Sequence, residues 1–183
     1  FIPKDYSEPI ESVKEQIESQ YYHRVITKDI LVDQITLIHN IPERSVMYNP
    51  SNGEVDSTSW TCGDSIYWKI VRKGIDALPY LITKMQDNTP SRVKTPCGEG
   101  YLTEGCLAFM IFEEILPIPY HLVFDIQFDF VDISCTTHHP VGLLNYVNKN
   151  SHQVHLAVKD WYDTMQHLIE KQEIDSLIQN DCQ

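Results

Sequence analysis

From Glu104 to Leu116 the chain reads Glu-Gly-Cys-Leu-Ala-Phe-Met-Ile-Phe-Glu-Glu-Ile-Leu, which is apolar on nearly every side of a helix. A helix of that kind has no face to give to water, so other elements must enclose it. Thr103 is placed to cap its start and Pro117 to end it. The apolar run is interrupted by Glu113 and Glu114 and falls well short of the roughly 20 residues that a membrane-spanning helix takes. The segment therefore predicts the central helix of a protein core, and the rest of the chain has to supply the layers around it.

Those layers carry helical periods. Ile10, Val13, Ile17 and Tyr21 recur at three- and four-residue intervals, predicting a helix from about Pro9 to His23. Thr27 to Ile41 places Ile30, Leu31, Gln34, Ile35 and Ile38 on one side of a second helix, which Pro42 stops. Asp64 is positioned to cap a third, bearing Ile66, Tyr67, Ile70 and Val71, with Gly74 where a terminating glycine belongs. Asp76 is positioned to cap a fourth, with Leu78, Leu81, Ile82 and Met85 facing one way. Residues 142–148 give a short helix, and Ser151 opens a long one with Val154, Val158, Trp161 and Met165 expected inside; Ile174, Leu177 and Ile178 extend its pattern. Residues 42–63 and 86–100 are rich in Pro, Gly, Ser, Thr and Asn and read as long surface loops. Phe124 to Phe130 alternates apolar and polar residues, predicting one short β-element near 123–131. The expected fold is mainly α, with irregular helical hairpins in one compact domain spanning residues 1–183.

The run Trp68-Lys69-Ile70-Val71-Arg72-Lys73-Gly74-Ile75-Asp76-Ala77-Leu78-Pro79-Tyr80-Leu81-Ile82 resembles a HEAT-type unit: a helix, a glycine turn, then Ala-Leu-Pro opening a second helix. Glu104-Gly105-Cys106-Leu107-Ala108-Phe109 resembles the opening of a further unit. The chain is also similar to a group of uncharacterised bacterial helical proteins that share the Lys-Gly-x-x-Ala-Leu-Pro and Gly-x-x-Ala-Phe landmarks. Such repeats stack helix pairs into a slab whose exposed face binds another protein, and that is what the resemblance implies here. The long stretches 42–63 and 86–100 depart from a regular array and imply an irregular domain rather than an extended solenoid.

Charge narrows the partners. Asp and Glu number 26 against 14 Lys and Arg, giving a formal charge of −12, so nucleic acid is not expected. No transmembrane span is expected either. The charge is segregated: residues 95–148 hold seven acids and no Lys or Arg, whereas residues 64–94 hold six bases and three acids. Gathered on one surface, the acids Glu99, Asp125 and Asp129 would favour a basic protein partner. Trp60 and Tyr101, aromatics within the polar stretches, are the expected anchors of such a partner-binding surface.

The remaining constellations are weaker than their bland alternatives. Cys135-x-x-His138 with His139, joined by His152 and His155, matches no regular zinc spacing, and solvated imidazoles explain it; no metal and no cofactor is expected. Asp125, Asp129 and Asp132, with Glu113 and Glu114 upstream, offer paired carboxylates but no positioned nucleophile, so no catalytic residue is assigned. Cys97 and Cys135 flank the central helix and the segment after it, and are the pair expected to form a disulfide in an oxidising compartment. The chain opens on Phe1 rather than Met, as either a processed mature protein or one trimmed of its natural start would, so export is permitted; a periplasmic or exported protein is expected over a cytoplasmic one.

The expected function is a non-catalytic protein-binding module: an immunity-type inhibitor of a toxin or an envelope-associated adaptor. The alternatives are a small metal-dependent hydrolase using the His and Asp groups, and a domain binding an apolar ligand beside Phe109, Phe112 and Trp161.

Overall fold

The computed structural model describes residues 29–48, 55–96, 99–125 and 139–169, with side chains described outside 44–48, 55–60 and 167–169. The expected helix from Pro9 to His23 and the extension through Ile178 lie outside the described residues. The chain is mainly α-helical.

In chain order the helices are α1 (Ser65–Val71), α2 (Leu78–Lys84), α3 (Glu104–Ile115), α4 (Tyr120–Val123), α5 (Val141–Lys149) and α6 (Ser151–Ile169). The helix α3 occupies the centre, as its composition requires. Leu107, Phe109, Ile111 and Phe112 are fully enclosed, and α3 packs against α1, α2, α5 and a 3-10 turn at Val32–Leu37. Its ends follow from sequence: the Thr103 hydroxyl accepts a hydrogen bond from Cys106 N at 3.1 Å, and Pro117 holds Leu116 in an extended conformation.

The hairpin of α1 and α2 is built as the sequence predicts. Gly74 follows the end of α1 with φ +64, a left-handed conformation suited to glycine. A 3-10 turn, Gly74–Ala77, absorbs Asp76 before α2 begins, so Asp76 is not the cap of that helix. Asp64 occupies the N-cap position of α1 but turns its carboxylate elsewhere: it accepts from His39 N at 2.5 Å and from Asn40 N at 3.0 Å, tying residues 39–40 to the start of α1. Gly105 lets α3 approach the end of α2. A Cβ there would stand 2.3 Å from the carbonyl oxygen of Met85, so only glycine fits.

Several expectations are corrected. Of the helix expected over Thr27–Ile41, the described residues from Asp29 onward hold a 3-10 turn at Val32–Leu37, whose three-residue period carries Val32, Ile35 and the following Ile38 into the core and leaves Ile30 83% exposed. The expected loops are antiparallel ribbons: β1 (Glu43–Tyr48) pairs with β2 (Val55–Thr61), and β3 (Pro90–Lys94) pairs with β4 (Tyr101–Thr103). Their Ser, Thr and Pro content disguised the strands; on β3 alternate residues reach water, where polar residues are tolerated. Near 123–131, Val123 ends α4, Phe124 is its C-cap and Asp125 has φ +49, so none of the three is in a strand; residues 126–131 lie outside the described ones. On α6, Val154 and Val158 are buried as expected, but Tyr162 is buried beside them while Trp161 and Met165 are half-buried. The helical stripe falls between positions 161 and 162, and both share it.

Cys62 is disulfide-bonded, and Cys106 is a free thiol inside α3, its pKa pushed by burial up to about 12. Cys97 and Cys135, the expected pair, lie outside the described residues.

Candidate functional site

The last turn of α3 carries two adjacent carboxylates into largely apolar surroundings. Glu113 accepts a hydrogen bond at 2.7 Å from Ile118 N, where the chain turns after Pro117, and a second from the Tyr120 hydroxyl at the start of α4. Glu114 accepts from the hydroxyl of Tyr67, contributed by α1, at 3.3 Å. His139, just before α5, sits between them: Nδ1 is 3.8 Å from Glu113 Oε2 and Nε2 is 3.5 Å from Glu114 Oε1. The imidazole is 5% exposed and the carboxylates 11% and 12%, so four segments of the fold meet in a polar knot sealed from bulk water.

Burial and the neighbouring carboxylates act in the same direction on the two phenols. Tyr67 and Tyr120 are held as neutral O–H donors, each with its pKa raised first by desolvation and then by the charge of Glu114 or Glu113. Proton donors therefore face carboxylate acceptors on several sides. That arrangement satisfies buried charge and fixes the orientation of α1, α4 and α5 about α3. For acid–base work on a substrate, a carboxylate here would have to reach a substrate proton within about 3 Å, through side chains already engaged with one another. The sequence signal for the knot is the Glu-Glu pair inside an apolar helix. Its partners Tyr67, Tyr120 and His139 come from distant positions, and no local pattern joins them.

Of the residues expected at a partner-binding surface, Tyr101, Glu99 and Asp125 are described with their side chains. Tyr101 opens β4 and is 52% exposed; Glu99 lies exposed in the turn before it. Asp125 is exposed after α4. Trp60 lies in β2 opposite Arg44, and Asp129 lies outside the described residues. The acid-rich stretch 95–148 does not put all its acids on one surface. Glu104 is buried and paired with Lys84 at 2.6 Å, and Glu113 and Glu114 turn inward to His139, so three of its seven acids serve the interior.

Tyr101 stands on a well-held base. Leu102 beside it and Val93 on β3 are buried beneath the ribbon. The side chain of Asn148, near the end of α5, reaches the strand as another strand would: Thr103 N donates to its Oδ1 at 2.6 Å, and its Nδ2 donates to the Tyr101 carbonyl at 3.4 Å. Asn148 carries no sequence signal for this role.

The candidate ligands and pocket residues resolve differently. His155 uses Nδ1 as a donor to the Ile82 carbonyl at 2.7 Å, and His152 is exposed, while Cys135 and His138 lie outside the described residues. Among the described residues no group of three or more His, Cys, Asp or Glu side chains, the Glu113–Glu114–His139 knot included, is arranged to hold a metal ion. Phe112 packs edge-on against Trp161 and Tyr162, with ring centroids 6.5 and 6.3 Å apart, so these rings meet in the core. No helix among the described residues is long and apolar enough to cross a membrane. No protein-family model, curated protein or solved structure matches the chain.

Proposed function

We propose that the protein is a non-catalytic protein-binding module, an immunity-type inhibitor or an envelope-associated adaptor, that engages its partner through the β3–β4 ribbon. The observation carrying this reading is Tyr101: a large aromatic side chain, half in solvent, on a ribbon anchored from below by Leu102 and Val93 and at its edge by Asn148. Rigidly based exposed aromatics are the usual anchors of protein interfaces, because they bury much area at small conformational cost. The inward orientation of Glu113, Glu114 and His139 supports a structural rather than catalytic role for those groups. The hairpin of α1 and α2, with its left-handed Gly74, supports reading the helical scaffold as HEAT-like.

The test is affinity capture from the native cell with wild-type protein and Tyr101→Ala, compared at equal loading after both are shown to melt together. Loss of one specific captured protein in the variant supports the reading. A capture profile identical in both removes the ribbon from it.

A further inference from the structure

The ribbon face that carries Tyr101 has the opposite charge to the chain as a whole. Along β3 the side chains alternate, with Ser91 and Val93 buried and Pro90, Arg92 and Lys94 in solvent. Lys94 is the cross-strand partner of Tyr101, so the two side chains leave the ribbon on the same side. The register shifts between Pro90 and Lys94, and through that irregularity Arg92 is exposed like Lys94 while Val93 between them is buried, so both cations face outward from the ribbon. Two cations and an aromatic ring thus stand on one face.

Among the described residues these two cations share with Lys69, Arg72 and Lys149 the lack of an ion pair, and they alone of that group flank an exposed aromatic residue on a ribbon face. Lys73 is paired with Asp29, Lys84 with Asp87 and Glu104, and Lys159 with Asp163. Among the described residues Arg92 and Lys94 have no carboxylate partner. Arg92 Nη1 lies 3.2 Å from His39 Nε2, and His39 Nδ1 is committed to the Leu37 carbonyl at 2.9 Å, so Nε2 acts as the acceptor and leaves the guanidinium charge uncompensated. Glu99, in the turn joining the strands, is exposed and forms no ion pair among the described residues.

We propose that this face docks an acidic, extended protein segment, with carboxylates on Arg92 and Lys94 and an apolar or aromatic side chain against Tyr101. The inference rests on the binding-module reading and adds the chemistry of the partner. A guanidinium and an ammonium beside an aromatic ring suit carboxylates flanking an apolar group, and on a chain of net charge −12 such a patch stands out as a landing point for acidic sequence. A nucleic acid fits less well, because two exposed cations release few counterions against the repulsion of the remaining acids.

The experiment uses the full chain and fluorescein-labelled polyglutamate, followed by fluorescence anisotropy at low salt, with a single-stranded oligonucleotide as the competing probe. Polyglutamate should bind, and Arg92→Glu with Lys94→Glu should weaken it about tenfold or more, since two screened contacts are reversed in sign. Arg92→Gln with Lys94→Gln should weaken it less, and Lys69→Glu, which reverses an exposed cation on α1, should leave it within about twofold. No binding of polyglutamate, equal loss in the Lys69 variant, or preference for the oligonucleotide overturns the inference. Any of those results combined with a partner capture that still depends on Tyr101 would leave the binding-module reading standing. A capture that ignores Tyr101 would bring down that reading itself.

Discussion

The helix α3 and the β3–β4 ribbon are joined at Thr103, yet they meet opposite demands. Ten of the twelve residues of α3 are buried, including Glu104, so each polar group it carries is answered from inside: Lys84 for Glu104, and His139, Tyr67 and Tyr120 for the Glu113–Glu114 pair. The ribbon buries every second residue and sends the others outward, where Arg92, Lys94 and Tyr101 make no comparable commitment to the core. An element enclosed on all sides is specified by what it packs against and has little surface with which to recognise anything else. A ribbon with one buried face can hold its position through that face and present the other.

If that contrast is right, truncation in α3 has large effects on stability. Phe112→Ala removes a fully buried ring packed against Trp161 and Tyr162 and should cost about 3–5 kcal/mol in denaturant unfolding. Gly105→Ala should cost about 3 kcal/mol, because the new methyl meets the Met85 and Asp87 carbonyl oxygens of the backbone, which cannot swing aside. Glu113→Ala leaves Ile118 N and the Tyr120 hydroxyl without their acceptor and should cost about 1–3 kcal/mol. An effect below about 0.5 kcal/mol for any of these would place that residue nearer the surface regime than the core.

The junction between the two regions supplies a pH test. At Asp87, burial pulls the carboxyl pKa upward, but hydrogen bonds from Lys84 and Thr89 outweigh it and lower the value from 3.8 to about 2. A carboxyl with a depressed folded-state pKa contributes stability that is complete above its ordinary value and is lost as pH falls through the folded one. Stability should therefore decline between about pH 4 and pH 2, and Asp87→Asn should make that decline shallower. Melting curves with the same acid slope in both proteins would detach Asp87 from the junction.

The two regions also differ in how far sequence reveals them. The position, cap and end of α3 were legible, because an all-apolar helix, a Thr and a Pro each impose a local constraint. The turn at Gly74 was legible for the same reason. The ribbons were not, since Ser-, Thr- and Pro-rich strands share the composition of loops, and the pairing that defines them joins Lys94 to Tyr101 across a turn. The knot around His139 was half legible: Glu113 and Glu114 stand out in an apolar helix, but nothing near them indicates that Tyr67, 47 residues away in sequence, would donate to Glu114. Tyr101 was singled out from its position, whereas the acidic stretch that accompanied it lost three members to the interior.

The most direct test of the division between a structural helix and a recognising ribbon measures two quantities on two variants: unfolding free energy and binding of the captured partner, for Glu113→Ala and Tyr101→Ala. Tyr101→Ala should change stability by less than about 0.5 kcal/mol and reduce partner affinity at least about tenfold, as truncating an exposed anchor does. Glu113→Ala should do the reverse, lowering stability while the folded fraction binds like wild type. Partner binding lost through Glu113 and untouched at Tyr101 would contradict the account.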